Sequence, residues 1–107
     1  MLEVSVYRYQ FHMQVRMGAW RDFRALLDEL NAVLRAKGLV PFQAWEAAFG
    51  RFNEIMLIAE YETLKAYERE HFALHRDAAC MDLWRKLTAH TDGVPWTDLW
   101  WRPPEAV

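Results

Sequence analysis

The sequence has a single cysteine, Cys80, so no disulfide bond can form within the chain. A reducing, cytoplasmic location is the simplest expectation for such a chain. No apolar run approaches the roughly 20 residues that a membrane-spanning helix needs, and the first residues do not resemble a signal peptide. We therefore expect a cytoplasmic protein that has no membrane partner.

Concentrated charge of either sign is also missing. The 13 Lys and Arg residues and 15 Asp and Glu residues are interspersed, and the formal net charge is -2. Nucleic-acid binding needs a concentrated basic face, so no nucleic-acid partner is expected. The sequence has no glycine-rich phosphate loop, no nucleophile elbow and no zinc-type Cys/His spacing. We predict no cofactor and no metal.

Aromatic residues are abundant by contrast. Six Trp, four Tyr and six Phe make up 15% of the chain. Side chains of this size must be buried in a core, an interface or a ligand pocket. The length of 107 residues fits one domain, 1–107, which can bury a core without disulfides or a metal.

The first half of the chain predicts a strand, a helix and a hairpin. Residues 2–13 alternate apolar and polar types as a strand does, but apolar residues fall on both faces. A helix is predicted over 18–37, ending at Lys37 and Gly38. Residues 42–49 and 53–61 predict two antiparallel strands joined by a two-residue turn at Gly50-Arg51. The apolar stripe of the helix consists of Trp20, Phe23, Leu26, Leu27, Leu30, Val33 and Leu34.

The second half predicts a helix and a last strand. Thr63 is a suitable N-cap for a helix. The apolar stripe that follows continues to Leu87, either in one helix or in two pieces broken near Asp77. Trp96 to Trp101 predicts a short aromatic strand, and residues 102–107 are expected to be a loose tail.

The resulting order, βαββαβ, is that of the ferredoxin-like α+β fold with a four-stranded antiparallel sheet. Helices can cover only one face of such a sheet. Because three of the strands carry apolar residues on both faces, we expect a second copy to cover the other face. The chain is then a homodimer whose two sheets close into an α/β barrel.

Several short segments resemble the NIPSNAP family of the dimeric α/β-barrel superfamily. The resemblance covers nearly the full length and implies this fold and dimerisation, but it implies little about biochemistry. The matching segments are Tyr7-Arg8-Tyr9, Gly18 with the helix that follows, Gly50-Arg51-Phe52-Asn53-Glu54, Tyr61-Glu62-Thr63-Leu64, Tyr67-Glu68-Arg69 and Asp82-Leu83-Trp84.

Two histidines are the candidate catalytic residues. His71 and His75 lie four residues apart in the predicted helix, which places them on one face about 6 Å apart. Either imidazole could act as a general base near neutral pH. The alternatives are that His71 packs in the core while His75 makes a surface hydrogen bond, or that the pair binds a metal or haem iron.

The remaining candidates are polar anchors and aromatic walls of a ligand pocket. Glu46 and Glu60 lie in strands, where burial would demand a partner, and Arg8 is the obvious one. The alternative for the aromatic residues is packing in the core or at the dimer interface. The predicted ligand-binding residues are Tyr7, Tyr9, Arg8, Trp45, Glu60, Trp84 and Trp100.

Two functions remain open from the sequence. The first is binding of a small apolar or aromatic molecule between sheet and helices. If this protein is an enzyme, it would be a cofactor-independent monooxygenase, cyclase or isomerase that uses a histidine base. The second is a non-catalytic dimeric module that presents an aromatic surface to a protein partner.

Overall fold

A computed structural model describes residues 5–104 of the 107. Leu2 and Val4 of the predicted first strand, and the last three residues of the predicted tail, lie outside this range. The order of the elements confirms the predicted ferredoxin-like α+β arrangement, with the second helix in two pieces. The elements are β1 (Val6–Val15), α1 (Trp20–Ala36), β2 (Gln43–Glu46), β3 (Glu54–Tyr61), α2 (Leu64–Arg76), α3 (Ala78–Thr88) and β4 (Thr91–Arg102).

The four strands form one antiparallel sheet in the order β2-β3-β1-β4. Successive side chains of a strand point to opposite faces of the sheet. Tyr9 and Phe11 contact the helices, so the odd-numbered residues of β1 lie on the helix-facing side. We call the opposite side the open face. Its central residues are Arg8, Gln10, His12, Trp45, Met56, Ile58, Glu60, Trp96, Asp98 and Trp100.

The core lies between the helices and the helix-facing side of the sheet. The apolar stripe of α1 is buried through Phe23, Leu27, Leu30 and Leu34, which confirms the periodicity. The helix ends as predicted, because Gly38 has φ +72° and the Leu39 backbone N–H donates to the Leu34 carbonyl at 2.9 Å. This contact spans the six-residue ring of a Schellman motif.

Two side-chain caps divide the second helical region as predicted. Thr63 Oγ1 accepts from the Ala66 backbone N–H at 3.0 Å and begins α2. Asp77 Oδ2 accepts from the Cys80 N–H at 2.9 Å and begins α3. The Lys37 ammonium lies 2.7 Å from Asp77 and, with the Cys80 N–H, lowers the pKa of that carboxyl to about 2. The end of α1 is therefore tied to the junction between α2 and α3.

The predicted two-residue turn between β2 and β3 is wrong. The register pairs Glu46 with Ile55, as a turn at Gly50-Arg51 would require, but the ladder closes with one bond from the Ala47 N–H to the Glu54 carbonyl. Residues 47–53 then form an open loop. All of residues 47–52 are exposed, so continued strand pairing there would have no core to pack against.

The last strand begins earlier than predicted. β4 includes Gly93 and Pro95, and a register shift opposite β1 between His12 and Gln14 accommodates them. Proline is tolerated because β4 is an edge strand, where an N–H can be missing without loss of a ladder bond. Arg102 belongs to this strand, so the predicted tail begins too early. No helix within residues 5–104 is long and apolar enough to cross a membrane.

Candidate functional site

A cavity of about 290 Å³ opens between α2 and the helix-facing side of the sheet. We call it the aromatic cleft. Strand β1, the segment before β2, both pieces of the second helical region and β4 all contribute to it. Its lining residues are Tyr9, Phe11, Phe42, Tyr67, His71, Leu74, His75, Trp84 and Thr97.

The apolar wall of the cleft is a packed group of rings. Phe11 meets Trp84 edge to face at a centroid distance of 4.8 Å, and the Phe42 ring lies 6.0 Å from the same indole. Asn31, a buried polar residue in the stripe of α1, donates to the Phe42 carbonyl at 2.9 Å and accepts from the Phe42 N–H at 2.8 Å. Both polar groups of the Phe42 backbone are thereby satisfied, which holds this residue beside α1 at the cleft.

The two histidines lie side by side at the polar end of the cleft. Their ring centroids are 4.3 Å apart, and the His71 ring also contacts Tyr9 at 5.7 Å and Tyr67 at 5.3 Å. Partial burial lowers the pKa of His71, and the neighbouring His75 lowers it further. Both causes favour the neutral ring over the charged one.

His75 has a defined tautomer. Its Nδ1 lies 2.8 Å from the backbone carbonyl oxygen of His71. A carbonyl oxygen can only accept, so Nδ1 carries the hydrogen, and Nε2 of the neutral ring has the free lone pair. Nε2 is therefore the basic atom of this side chain.

Two tyrosines that contact His71, Tyr9 and Tyr67, and a third that contacts Tyr67, Tyr61, keep their phenol protons. Burial, with a smaller contribution from Tyr67, raises the pKa of Tyr9 to about 12. Burial is also the main cause of the raised pKa of Tyr61, whose ring lies 5.7 Å from that of Tyr67. The pKa of Tyr67 is raised by burial and by Glu68. These hydroxyls can donate hydrogen bonds at any physiological pH.

The structure brings four of the predicted site residues together. His71, His75, Tyr9 and Trp84 all line the aromatic cleft. Tyr7 lies on the same face of β1, but its ring is stacked on Trp101 at 6.2 Å and does not line the cleft.

Four predicted site residues lie on the open face instead: Arg8, Trp45, Glu60 and Trp100. The expectation that they share a pocket with the histidines is wrong, because neighbours such as Arg8 and Tyr9 must point to opposite faces of a strand. Arg8 Nε does pair with Glu60 at 3.0 Å, but the two side chains are 45% and 47% exposed, so the ion pair is not buried in the single chain.

Sequence reasoning missed five cleft residues. Tyr67 precedes His71 by one helical turn and Phe11 follows Tyr9 on the same strand face, so their spacing contained a signal. Leu74 belongs to the predicted apolar stripe of the helix. Phe42 and Thr97 come from distant segments, and no local pattern identifies them.

The histidine pair lacks further metal ligands. Among residues 5–104, no group of three or more His, Cys, Asp or Glu side chains could hold a metal ion. Catalytic zinc sites use three protein ligands, so the two imidazoles fall short of such a site.

The sequence matches no protein-family model and no curated protein. Its structure, however, aligns with a NIPSNAP family protein from Agrobacterium tumefaciens at a TM-score of 0.77, covering 94% of this chain and 89% of that one. The two chains share one fold. An uncharacterised NIPSNAP-like domain protein from Burkholderia xenovorans aligns at a TM-score of 0.71 over 88% of this chain and 82% of that one.

A third solved structure with the same fold is named for a different activity. A candidate antibiotic biosynthesis monooxygenase from Caulobacter crescentus aligns at a TM-score of 0.70 over 91% of this chain and 89% of that one. The identities to these three proteins are 12%, 14% and 12%, respectively. Similarity at this level shows a shared fold and leaves the reaction open. The resemblance seen in the sequence is thus confirmed for the fold.

Proposed function

We propose that the aromatic cleft binds a small planar aromatic molecule, and that its histidine pair removes a proton from an activated carbon of that molecule. The observation that carries this proposal is the combination, in one cavity, of ring walls with two adjacent imidazoles. A mostly apolar cavity with a few convergent polar groups is the usual form of a small-molecule site. Its volume of about 290 Å³ suits a compound of two or three fused rings.

His75 is the better candidate for the base. Its Nε2 lone pair is free, and the hydrogen bond from Nδ1–H to the His71 carbonyl holds the ring in that tautomer. The lowered pKa of His71 makes that ring a weaker base and keeps a second positive charge away from His75.

The proposed chemical step balances without a cofactor. The substrate C–H bond breaks, the proton moves to His75 Nε2, and the electron pair remains on the substrate as an enolate-type anion. Tyr9, which keeps its proton, donates a hydrogen bond to the oxygen that carries this charge. Such an anion can react with O₂, cyclise, or be reprotonated elsewhere as an isomer. The likeness to a candidate monooxygenase favours the reaction with O₂.

2-Tetralone tests both parts of the proposal, because it is a fused-ring ketone with an activated C–H next to its aromatic ring. We expect saturation-transfer NMR to show binding and proton NMR in D₂O to show enzyme-dependent deuterium exchange at that carbon. Loss of a general base reduces rates by about 10²- to 10⁴-fold, so His75→Ala should slow exchange by at least 100-fold. His90→Ala, in the turn after α3 and outside the lining of the cleft, is the matched control and should change neither binding nor exchange.

A variant without both imidazoles tests the role of the histidines. If the double variant His71→Ala, His75→Ala binds 2-tetralone and exchanges its protons as well as the wild type, the histidines have no role in either. Binding that is retained while exchange never exceeds the buffer rate would leave a ligand-binding protein without the proposed chemistry.

We also propose that the open face packs against the open face of a second copy. Three of its tryptophans, Trp45, Trp96 and Trp100, are 56–61% exposed in the single chain, an apolar patch that a second layer would bury. With about 4.8 Å between strands and about 3.4 Å per residue along each strand, the flat area of the open face is about 600 Å². The projecting side chains add to this area. Stable interfaces bury about 800 Å² per partner, so the face has nearly the required size.

Charge on the open face is compatible with self-association. Arg8 and Glu60 neutralise each other within one chain, and Asp98 accepts a hydrogen bond from Gln10 at 2.8 Å. Each of these carboxylates thus has a polar or cationic neighbour within its own chain: Glu60 has the Arg8 guanidinium, and Asp98 has the Gln10 amide and, at 3.4 Å, the His12 ring. A different protein partner on the same tryptophans is the alternative occupant.

A further inference from the structure

A second cavity, of about 450 Å³, lies beside the loop that joins β2 and β3. We call it the loop pocket. It shares no lining residue with the aromatic cleft. Tyr9 of the aromatic cleft pairs with Ala59 of β3. Glu54 of the loop pocket lies five residues before Ala59 on β3, which is about 17 Å at 3.4 Å per residue. The two cavities are therefore separate sites.

The loop pocket has more negative than positive charge. Glu46 and Glu54 line it at the ends of the two strands, together with a single cation, Arg51. None of the three side chains forms a salt bridge within residues 5–104. Two carboxylates thus face this cavity without a cationic partner.

Three aromatic residues, Trp20, Phe49 and Phe52, also line the loop pocket. The Trp20 indole is half-buried and stacked on Phe23 at 6.0 Å, so it is a fixed surface. Phe49 and Phe52 are 98% and 66% exposed, and an occupant of the pocket would bury part of both rings. The face of an aromatic ring carries partial negative charge and attracts a cation.

The backbone holds these groups near one another. The Ala47 N–H donates to the Glu54 carbonyl at 3.1 Å, and the Glu54 N–H donates to the Arg51 carbonyl at 3.2 Å. These bonds close the base of the loop. Gly50 has φ +135°, which a residue with a side chain adopts only with strain, so the loop conformation depends on glycine at this position.

We propose that the loop pocket binds a methylated ammonium compound of the choline type. Ring faces attract the quaternary nitrogen, and the two glutamates neutralise its charge. A hard metal ion fits this pocket less well, because Mg²⁺ or Ca²⁺ binds six or more oxygen ligands and aromatic side chains do not supply them. This site goes beyond the function proposed for the aromatic cleft. Choline binding in the loop pocket can be absent while the aromatic cleft binds its ligand, and the reverse also holds.

Titration of the full chain with choline chloride, followed by NMR chemical shifts, tests the proposal. We expect saturable shifts at Trp20 and the loop, which sodium chloride at equal ionic strength does not reproduce. Phe49→Leu and Glu54→Gln should each weaken binding about tenfold. Because Phe49 is almost fully exposed, its replacement leaves the fold intact.

Matched controls lie elsewhere on the surface. Phe72→Leu removes an exposed ring from α2 and Glu29→Gln an exposed carboxylate from α1, and both should leave choline affinity unchanged. Arg51→Gln should strengthen binding, since it removes the competing positive charge.

Choline as a free compound and choline as a lipid headgroup present the same chemistry. Phosphatidylcholine vesicles are therefore tested alongside free choline, and binding to either that is weakened by Glu54→Gln supports the site and identifies the source. The proposal is overturned if neither shows saturable binding, or if Phe49→Leu and Glu54→Gln bind as tightly as the wild type.

Discussion

At the residue scale, the charge of His71 depends on burial and on the neighbouring His75. Its pKa in the folded chain lies below the ordinary value of 6.5, because burial and His75 disfavour the imidazolium. The unfolded chain therefore binds a proton at this position more readily than the folded chain does. The stability that neutral His71 provides is present above about pH 6.5 and is lost as the pH falls towards its folded pKa.

Replacing His75 with Gln should raise the pKa of His71. The variant removes the nearby imidazole, but burial, the larger cause, remains, so the pKa should stay below 6.5. An NMR titration of the His71 ring protons measures the shift directly. His90→Gln, in the turn after α3, is the control and should leave the titration of His71 unchanged. An unaltered pKa in His75→Gln would show that the two rings do not interact electrostatically.

Residue spacing predicted some members of the site and misassigned others. The four-residue interval of His71 and His75 sufficed, because a helix places such residues on one face whatever surrounds it. Arg8 and Tyr9 cannot line one pocket, because strand alternation places neighbouring side chains on opposite faces of the sheet. Phe42 could not be predicted from spacing, because the bonds from Asn31 that place it in the cleft link segments 11 residues apart.

At the scale of elements, side-chain caps determine where the second helical region begins and breaks. Thr63 and Asp77 both have residue types that prefer the N-cap, and both accept the expected backbone hydrogen bond. These boundaries could therefore be predicted from sequence. The loop 47–53 and the early start of β4 could not, because they depend on which strand ends meet a packing layer and which strand lies at the edge.

Thr63→Ala should destabilise the protein by about 1 kcal/mol, the usual loss for a removed N-cap. The Ala66 N–H would lose its side-chain acceptor at the start of α2. Urea unfolding monitored by circular dichroism gives the free energy of unfolding. Thr63→Ser keeps the hydroxyl and should remain close to the wild type; an equal loss in both variants would contradict the capping role.

Asp77 should make stability depend on pH in the acid range. Its folded pKa of about 2 lies below the ordinary 3.8, so its contribution is present above about pH 4 and is lost as the pH falls towards 2. Asp77→Asn keeps a side-chain oxygen for the cap but removes the ion pair with Lys37. The difference between wild-type and variant urea midpoints should therefore shrink from pH 5 to pH 2. A constant difference would exclude the ion pair as its source.

At the scale of the whole molecule, the proposed dimer places the open face at the contact between two copies. We expect a dimer by analytical ultracentrifugation, and Trp45→Glu combined with Trp100→Glu should give a folded monomer, because charge then replaces apolar surface on both sides of the interface. Phe72→Glu on α2, an equally exposed aromatic position, should remain dimeric. A monomeric wild type would refute the homodimer, and strong iodide quenching of its tryptophans would favour a different protein partner.

The order of the elements could be predicted because each has its own periodicity, and periodicity survives without knowledge of the neighbours. The large excess of aromatic residues was equally visible, but not its division between two faces. That division depends on strand register, for example on Tyr9 pairing with Leu99 while Arg8 pairs with Trp100. One residue of slip would exchange the contents of the cleft and the open face.

The contact between Asn31 and Phe42 has a consequence for how the cleft can change. A side-chain amide here takes the place of a neighbouring strand, since it gives the Phe42 backbone both a donor and an acceptor. The shape of the cleft therefore depends in part on a helix residue that does not line it. We expect substitution of Asn31 to change the shape of the cleft while every lining residue stays the same, so specificity for the proposed ligand could be altered from α1.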